Sequence, residues 1–131
     1  MLKSFIAEKI NSSINSFNDM DKSLYTREDA LRVLNKYPGR VPVIVERSKN
    51  ASPDVPQIDK HKFLVPSDLS IGQFQYVIRK RLNIEPHKAL FLFVDNCVPS
   101  TSTLISTIYE ESKDSNTLFL FVTYSMENTF G

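Results

Sequence analysis

Hydrophobic positions along this chain change period several times, and each change marks an element. Leu2, Phe5, Ile6, Ile10 and Ile14 recur at spacings of three and four among Lys3, Glu8 and Lys9, the stripe of a short amphipathic helix. Residues 11–21 are rich in Asn, Ser and Asp and read as a linker or a frayed helix end. A second helix is predicted from Thr26, whose spacing to Asp29 approximates a capping box; it carries Ala30, Leu31, Val33 and Leu34 and stops at Pro38-Gly39. Val41, Val43 and Val45 then alternate with Pro42, Ile44 and Glu46, which makes a strand that is apolar on both faces. The polar stretch 48–59 leads to another strand over 60–66, so the two are expected to pair antiparallel.

The stretch 60–82 organises the rest. Phe63 and Val65 point one way and Lys62 and Leu64 the other, because side chains alternate across a pleat. After a turn at 66–69, Ser70 and Gln73 form a capping box, and Ile71, Phe74, Val77, Ile78 and Leu82 recur at helical spacing. Strand and helix should pack together with an apolar crease between them. A turn at 83–88, containing Pro86, precedes a strand over 90–94 and a short return at 97–98 after Asp95-Asn96. Leu104, Ile105, Ile108 and Tyr109 mark a short helix within 101–113. The last strand, 118–124, lacks polar alternation and is predicted at the sheet centre. The fold class is therefore α+β. From about residue 39 the element order is that of a β-grasp, with one main helix across a mixed sheet and the two additional N-terminal helices free to cover the other face.

Composition narrows the function classes. With 131 residues, 41% hydrophobic and 24% charged, the chain fits one ordinary domain. Sixteen basic and fifteen acidic residues nearly cancel, so nothing global draws the chain to nucleic acid, and Arg79-Lys80-Arg81 reads as a solvated helical face. No apolar run reaches the length of a membrane span and no signal-peptide pattern opens the chain, so a cytoplasmic protein is expected. Cys97, the lone cysteine, forbids an internal disulfide; next to Val98 it is expected as a small core thiol rather than a nucleophile served by His61 or His87. The three glycines form no phosphate loop and the His and Cys residues no metal spacing, so no enzyme, cofactor or metal is expected.

Several separated motifs carry a resemblance. Lys36-Tyr37-Pro38-x-Arg40-Val41-Pro42-Val43-Ile44, Asp59-Lys60-x-Lys62-Phe63-Leu64-Val65-Pro66, Gly72-Gln73-Phe74 through Ile78-Arg79-Lys80-Arg81, and Tyr124-Ser125-x-Glu127-Asn128-Thr129-Phe130-Gly131 stand in the order found in the autophagy-related protein 8 family of ubiquitin-like modifiers. The resemblance runs from about residue 27 to the end; the first 25 residues are unlike the family's usual start. It implies a ubiquitin-like β-grasp, divided here into a helical N-terminal part (1–38), the core (39–124) and a conjugation tail (125–131). It further implies attachment of Gly131, preceded by Phe130, to phosphatidylethanolamine by partner activating and conjugating enzymes, and release by a deconjugating cysteine protease. The modifier would be cytoplasmic, and at the autophagosome membrane when lipidated.

The same resemblance implies a groove for cargo receptors bearing aromatic-x-x-aliphatic motifs. It puts an aromatic pocket at Asp29, Val33, Pro42, Ile44, Lys62, Leu64 and Phe119, and an aliphatic pocket at Phe63, Val65, Pro66, Leu69, Phe74 and Val77. Arg40, Lys60, Lys62 and Arg81 would pair acidic residues flanking such a motif. From the residues alone, strand parity supports the split, the polar 125–131 stretch suits an exposed tail, and glycine offers no side chain to obstruct a partner's active site. Two other readings stay open: conjugation to a protein lysine, and an unconjugated adaptor in vesicle traffic that uses only the groove. The N-terminal stripe is expected to pack on the sheet, its alternative being a bilayer interface.

Overall fold

A computed structural model describes residues 24–126, and the predicted N-terminal helix and the end of the tail, with Phe130 and Gly131, lie outside them. In chain order the elements are α1 (Arg27–Lys36), β1 (Arg40–Arg47), β2 (Lys62–Pro66), α2 (Ile71–Leu82), β3 (Leu90–Phe93), α3 (Ile105–Ser112) and β4 (Leu120–Met126). The strands form one sheet in the order β2-β1-β4-β3. β1 pairs antiparallel with β2 and parallel with β4, and β3 pairs antiparallel with β4. The central position of β4 explains its unbroken burial from Leu120 to Tyr124, since a strand covered on both faces has no solvent side to supply alternation.

Helix α2 covers one face of the sheet. Ile71, Phe74, Ile78 and Leu82 meet Val41, Val43, Val45, Phe63, Val65, Leu120, Val122 and Tyr124 in the main core. Its start is held by reciprocal bonds: Ser70 Oγ accepts from the Gln73 amide at 3.1 Å, and Gln73 Oε1 accepts from the Ser70 amide at 2.8 Å. Asn83 ends it in the left-handed conformation (φ 54°), which asparagine tolerates well. Ser70→Ala removes one of these acceptors and is expected to lower unfolding free energy by about 1 kcal/mol, read from the urea midpoint at unchanged slope. On the opposite face, α1 lays Ala30 against Ile44, Phe119 and Phe121 in a smaller second core.

Some local expectations change. The return at 97–98 is only a Val94–Cys97 bridge across a two-residue turn, with Asp95 and Asn96 at φ 53° and 65°. That turn leaves Cys97 exposed, so it is not a core thiol. Leu104 is 43% exposed, and the helix starts after it, at Ile105, with Ile105, Ile108 and Tyr109 buried. β4 begins at Leu120 rather than 118, because Leu118 takes φ 64° where its N–H bonds the Asp114 carbonyl at 2.7 Å and its carbonyl accepts from the Tyr109 hydroxyl at 2.6 Å. β4 also continues two residues further, since Ser125 and Met126 pair with Phe91 and Leu90 through backbone groups that do not depend on side-chain polarity.

The long connection between β1 and β2 is ordered by its own contacts. Val55 and Ile58 are buried, Arg47 Nη1 donates to the Val55 carbonyl at 2.8 Å, and the Tyr124 hydroxyl donates to the Pro56 carbonyl at 2.6 Å. Burial pushes the Tyr124 hydroxyl above its ordinary pKa, so it stays a neutral donor.

A candidate peptide-binding edge

Strand β2 ends the sheet, so among the described residues one of its sides has no strand partner. Which residues face that side follows from the bonds at its ends. The His61 carbonyl accepts from the Val45 amide at 2.8 Å, and the Ser67 amide donates to the Gly39 carbonyl at 2.9 Å, so odd-numbered residues turn their backbone toward β1. By alternation, the backbone groups of Lys62 and Leu64 point to the open side. An open edge of this kind can receive an extended peptide as an added strand. Arg40, opposite Pro66, reaches the Leu64 carbonyl at 3.3 Å through Nη1.

Side chains around this edge separate by face. On the face shared with α1, the Lys62 ammonium lies 5.8 Å from the ring centres of both Tyr25 and Phe119. Those two rings are 5.6 Å apart, over the Ala30, Ile44, Phe119 and Phe121 cluster. Val33 and Leu64 are half-buried beside fully covered Ile44, Phe119 and Pro42. Asp29 is held by Arg32, whose hydrogen bond keeps its carboxyl below the usual range, with Thr26 and Lys62 adding to the effect.

On the α2 face, the Phe63 ring meets Phe74 edge-on at 5.8 Å. Phe63, Val65 and Phe74 are buried, whereas Pro66 and Leu69 are half-buried and Val77 is 41% exposed. The buried three form a floor shared with the main core, and only Pro66, Leu69 and Val77 offer surface to a ligand. Lys60 Nζ and the Arg81 guanidinium sit 5.1 and 5.7 Å from the centre of Phe63. Arg81 also bonds Asp59 at 3.0 Å, so an acidic ligand residue would have to compete with that carboxylate.

The predicted pocket residues thus fall on two faces of one edge, with Arg40, Lys60, Lys62 and Arg81 around it. Sequence reasoning missed Tyr25 and the Asp59 partner of Arg81. Tyr25 had a signal: it stands just before the N-cap Thr26, and with Ala30 at the fourth helical position it makes a hydrophobic staple. Among the described residues there is no cluster of His, Cys, Asp and Glu able to hold a metal, and no helix is long and apolar enough to cross a membrane.

Comparison with known proteins agrees with this architecture. The model of the family described as autophagy protein Atg8, ubiquitin like, matches residues 25–131. Autophagy-related protein 8e of Arabidopsis thaliana is 53% identical over 114 residues, covering 87% of this chain and 88% of that protein. Autophagy-related protein 8 of Mycosarcoma maydis is 55% identical over 105 residues, covering 80% and 86%. The crystal structure of Trypanosoma brucei ATG8 superposes with a TM-score of 0.73 at 42% identity, covering 80% of this chain and 88% of that one. A mixed sheet gripping α2, with β2 at its edge, and this extent of identity together make the chain a member of the Atg8 family of ubiquitin-like autophagy proteins.

Proposed function

We propose that this protein is a modifier joined through Gly131 to phosphatidylethanolamine, and that it uses the β2 edge to hold cargo receptors at the autophagosome membrane. The observation that carries the binding half is the outward backbone of Lys62 and Leu64, bracketed by the Tyr25–Phe119 pocket and the Leu69–Val77 rim. An extended aromatic-x-x-aliphatic peptide would add as a fifth strand, its aromatic side chain directed toward Tyr25 and its aliphatic one toward Val77. Acidic residues beside the motif would meet Lys60, Lys62 and Arg40.

Conjugation rests on the family and on the placement of Tyr124. Its hydroxyl on Pro56 and its central strand hold β4 in place up to Met126, the residue that precedes Glu127 in the sequence. Activating and conjugating enzymes would supply the catalytic cysteines, and a cysteine protease would reverse the bond; the protein itself acts as substrate and scaffold, not as an enzyme. Two acyl chains then anchor it as a single short chain would not.

Lys62→Ala or Leu64→Ala is expected to weaken an aromatic-x-x-aliphatic peptide by about fivefold, roughly 1 kcal/mol, by calorimetry. Equal affinity for the parent and both variants would refute the pocket reading. Intact mass of the cellular adduct separates lipid conjugation from conjugation to a protein.

A further inference from the structure

The near-neutral net charge conceals a polarity along the strands. β1 and β4 run parallel, with Arg47 opposite Tyr124, and Leu90 lies opposite Met126. The described end of β4, at Met126, therefore lies between the residues that follow Arg47, including Lys49, and those that precede Leu90, including Lys88. The last turn of α2 lies at this end too, since Arg81 bonds Asp59 just before β2 and Arg79 Nη1 donates to the Glu85 carbonyl at 3.2 Å. Arg47, Lys49, Lys60, Lys88 and the run 79–81 give this end seven basic side chains against Glu46, Asp54, Asp59 and Glu85, in a chain of net charge +1. Glu127, the first residue of the following segment, offsets one of the excess charges.

The carboxylates here already have partners. Asp59 is bonded to Arg81, Glu85 to His87 at 3.1 Å, Asp54 to the Ser52 hydroxyl, and Glu46 lies 3.6 Å from His61. Lys49 and Lys80 are exposed, with the Lys80 ammonium 5.7 Å from the centre of the Tyr76 ring, and Lys88 is half-buried; the Ser52 hydroxyl, with Lys88 adding to it, keeps the Asp54 carboxyl below its ordinary range. Five residues of extended chain reach at most about 17 Å, which keeps this end within roughly two Debye lengths of whatever holds residue 131.

We infer that the tail-bearing end, centred on Lys49, Lys80 and Lys88, is a membrane-contact face for anionic phospholipid. The inference rests on the proposed lipid conjugation, which would hold this end of the sheet against the bilayer. The positive excess then lies in the negative surface potential of the leaflet, so the end docks and the β2 edge is presented sideways to the cytosol. Attraction this small is ineffective for the free protein and effective once a tether supplies the proximity.

The test replaces conjugation by a tether. The full chain with a histidine tag after Gly131 is held on phosphatidylcholine vesicles containing a chelator lipid, with or without phosphatidylserine, and acylation of each lysine by an amine-reactive ester is read by mass spectrometry. Phosphatidylserine is expected to slow labelling of Lys49, Lys80 and Lys88 by about threefold, leave Lys36 and Lys113 unchanged, and lose its effect near 1 M salt, where the Debye length is about 3 Å. In Lys49→Glu/Lys88→Glu protein, Lys80 should lose its protection. Labelling indifferent to phosphatidylserine, or slowed equally at all five lysines, overturns the inference. So does protection by an acidic conjugating enzyme in solution without protection by the lipid. Because the tether stands in for the natural bond, these outcomes are independent of the intact-mass test of conjugation.

Discussion

Gly131→Ala is expected to abolish membrane attachment in cells while leaving peptide affinity at the β2 edge unchanged. The two halves of the proposed function are far apart in the chain and use different chemistry. On the proposed function the carboxyl of residue 131 has to enter the active sites of the activating and conjugating enzymes, where glycine presents no side chain and an added Cβ would be an obstacle. The proposed groove draws on residues 25–77 and Phe119, which belong to the folded body. Membrane flotation and intact mass read the first half, and calorimetry with an aromatic-x-x-aliphatic peptide reads the second. Flotation of the variant at the parental level would end the conjugation reading. Loss of peptide binding together with attachment would show that the tail and groove are not separable.

Phe74→Ala is expected to lower stability by about 3–5 kcal/mol, a substantial part of the roughly 5–15 kcal/mol that a domain possesses. Phe74 is 1% exposed, packs edge-on against Phe63, and joins α2 to the sheet through the main core. Its truncation leaves a cavity between elements that cannot collapse independently. Val77, one turn along the same helix, is 41% exposed. Val77→Ala should cost under about 1 kcal/mol of stability, because little of its surface is buried, and should weaken the peptide instead. Urea unfolding of both variants, followed by titration of the Val77 variant, divides the aliphatic pocket into floor and rim. A Phe74 variant as stable as the parent would contradict its place in the core.

Much of this architecture was legible because it is written locally. The Ser70–Gln73 box is two hydrogen bonds across three residues, and both form. The parity of 62–65 follows from the pleat, and burial does alternate from Lys62 to Pro66. Failures of local reading have equally local causes. Cys97 looked apolar by its neighbour Val98, but the left-handed Asp95–Asn96 turn exposes it. The start of β4 slipped because Leu118 is held at positive φ by Asp114 and Tyr109, partners four and nine residues away that no strand pattern contains.

From the second predicted helix to the last strand, the sequence by itself determined the main elements and their order, the capped helix and the two-faced strand, all consequences of side-chain period and bonds between near neighbours. Tertiary structure alone decided that β2 stands at the edge, that the backbone of Lys62 and Leu64 faces outward, and that Tyr25 lies under the Lys62 ammonium. It also decided that Arg81 is already paired with Asp59, and that Lys49 and Lys88 flank the same strand end. The physical reason is range. Periodicity reports which way a side chain points, whereas a pocket, an open edge or a charged end depends on which distant segments the sheet brings side by side.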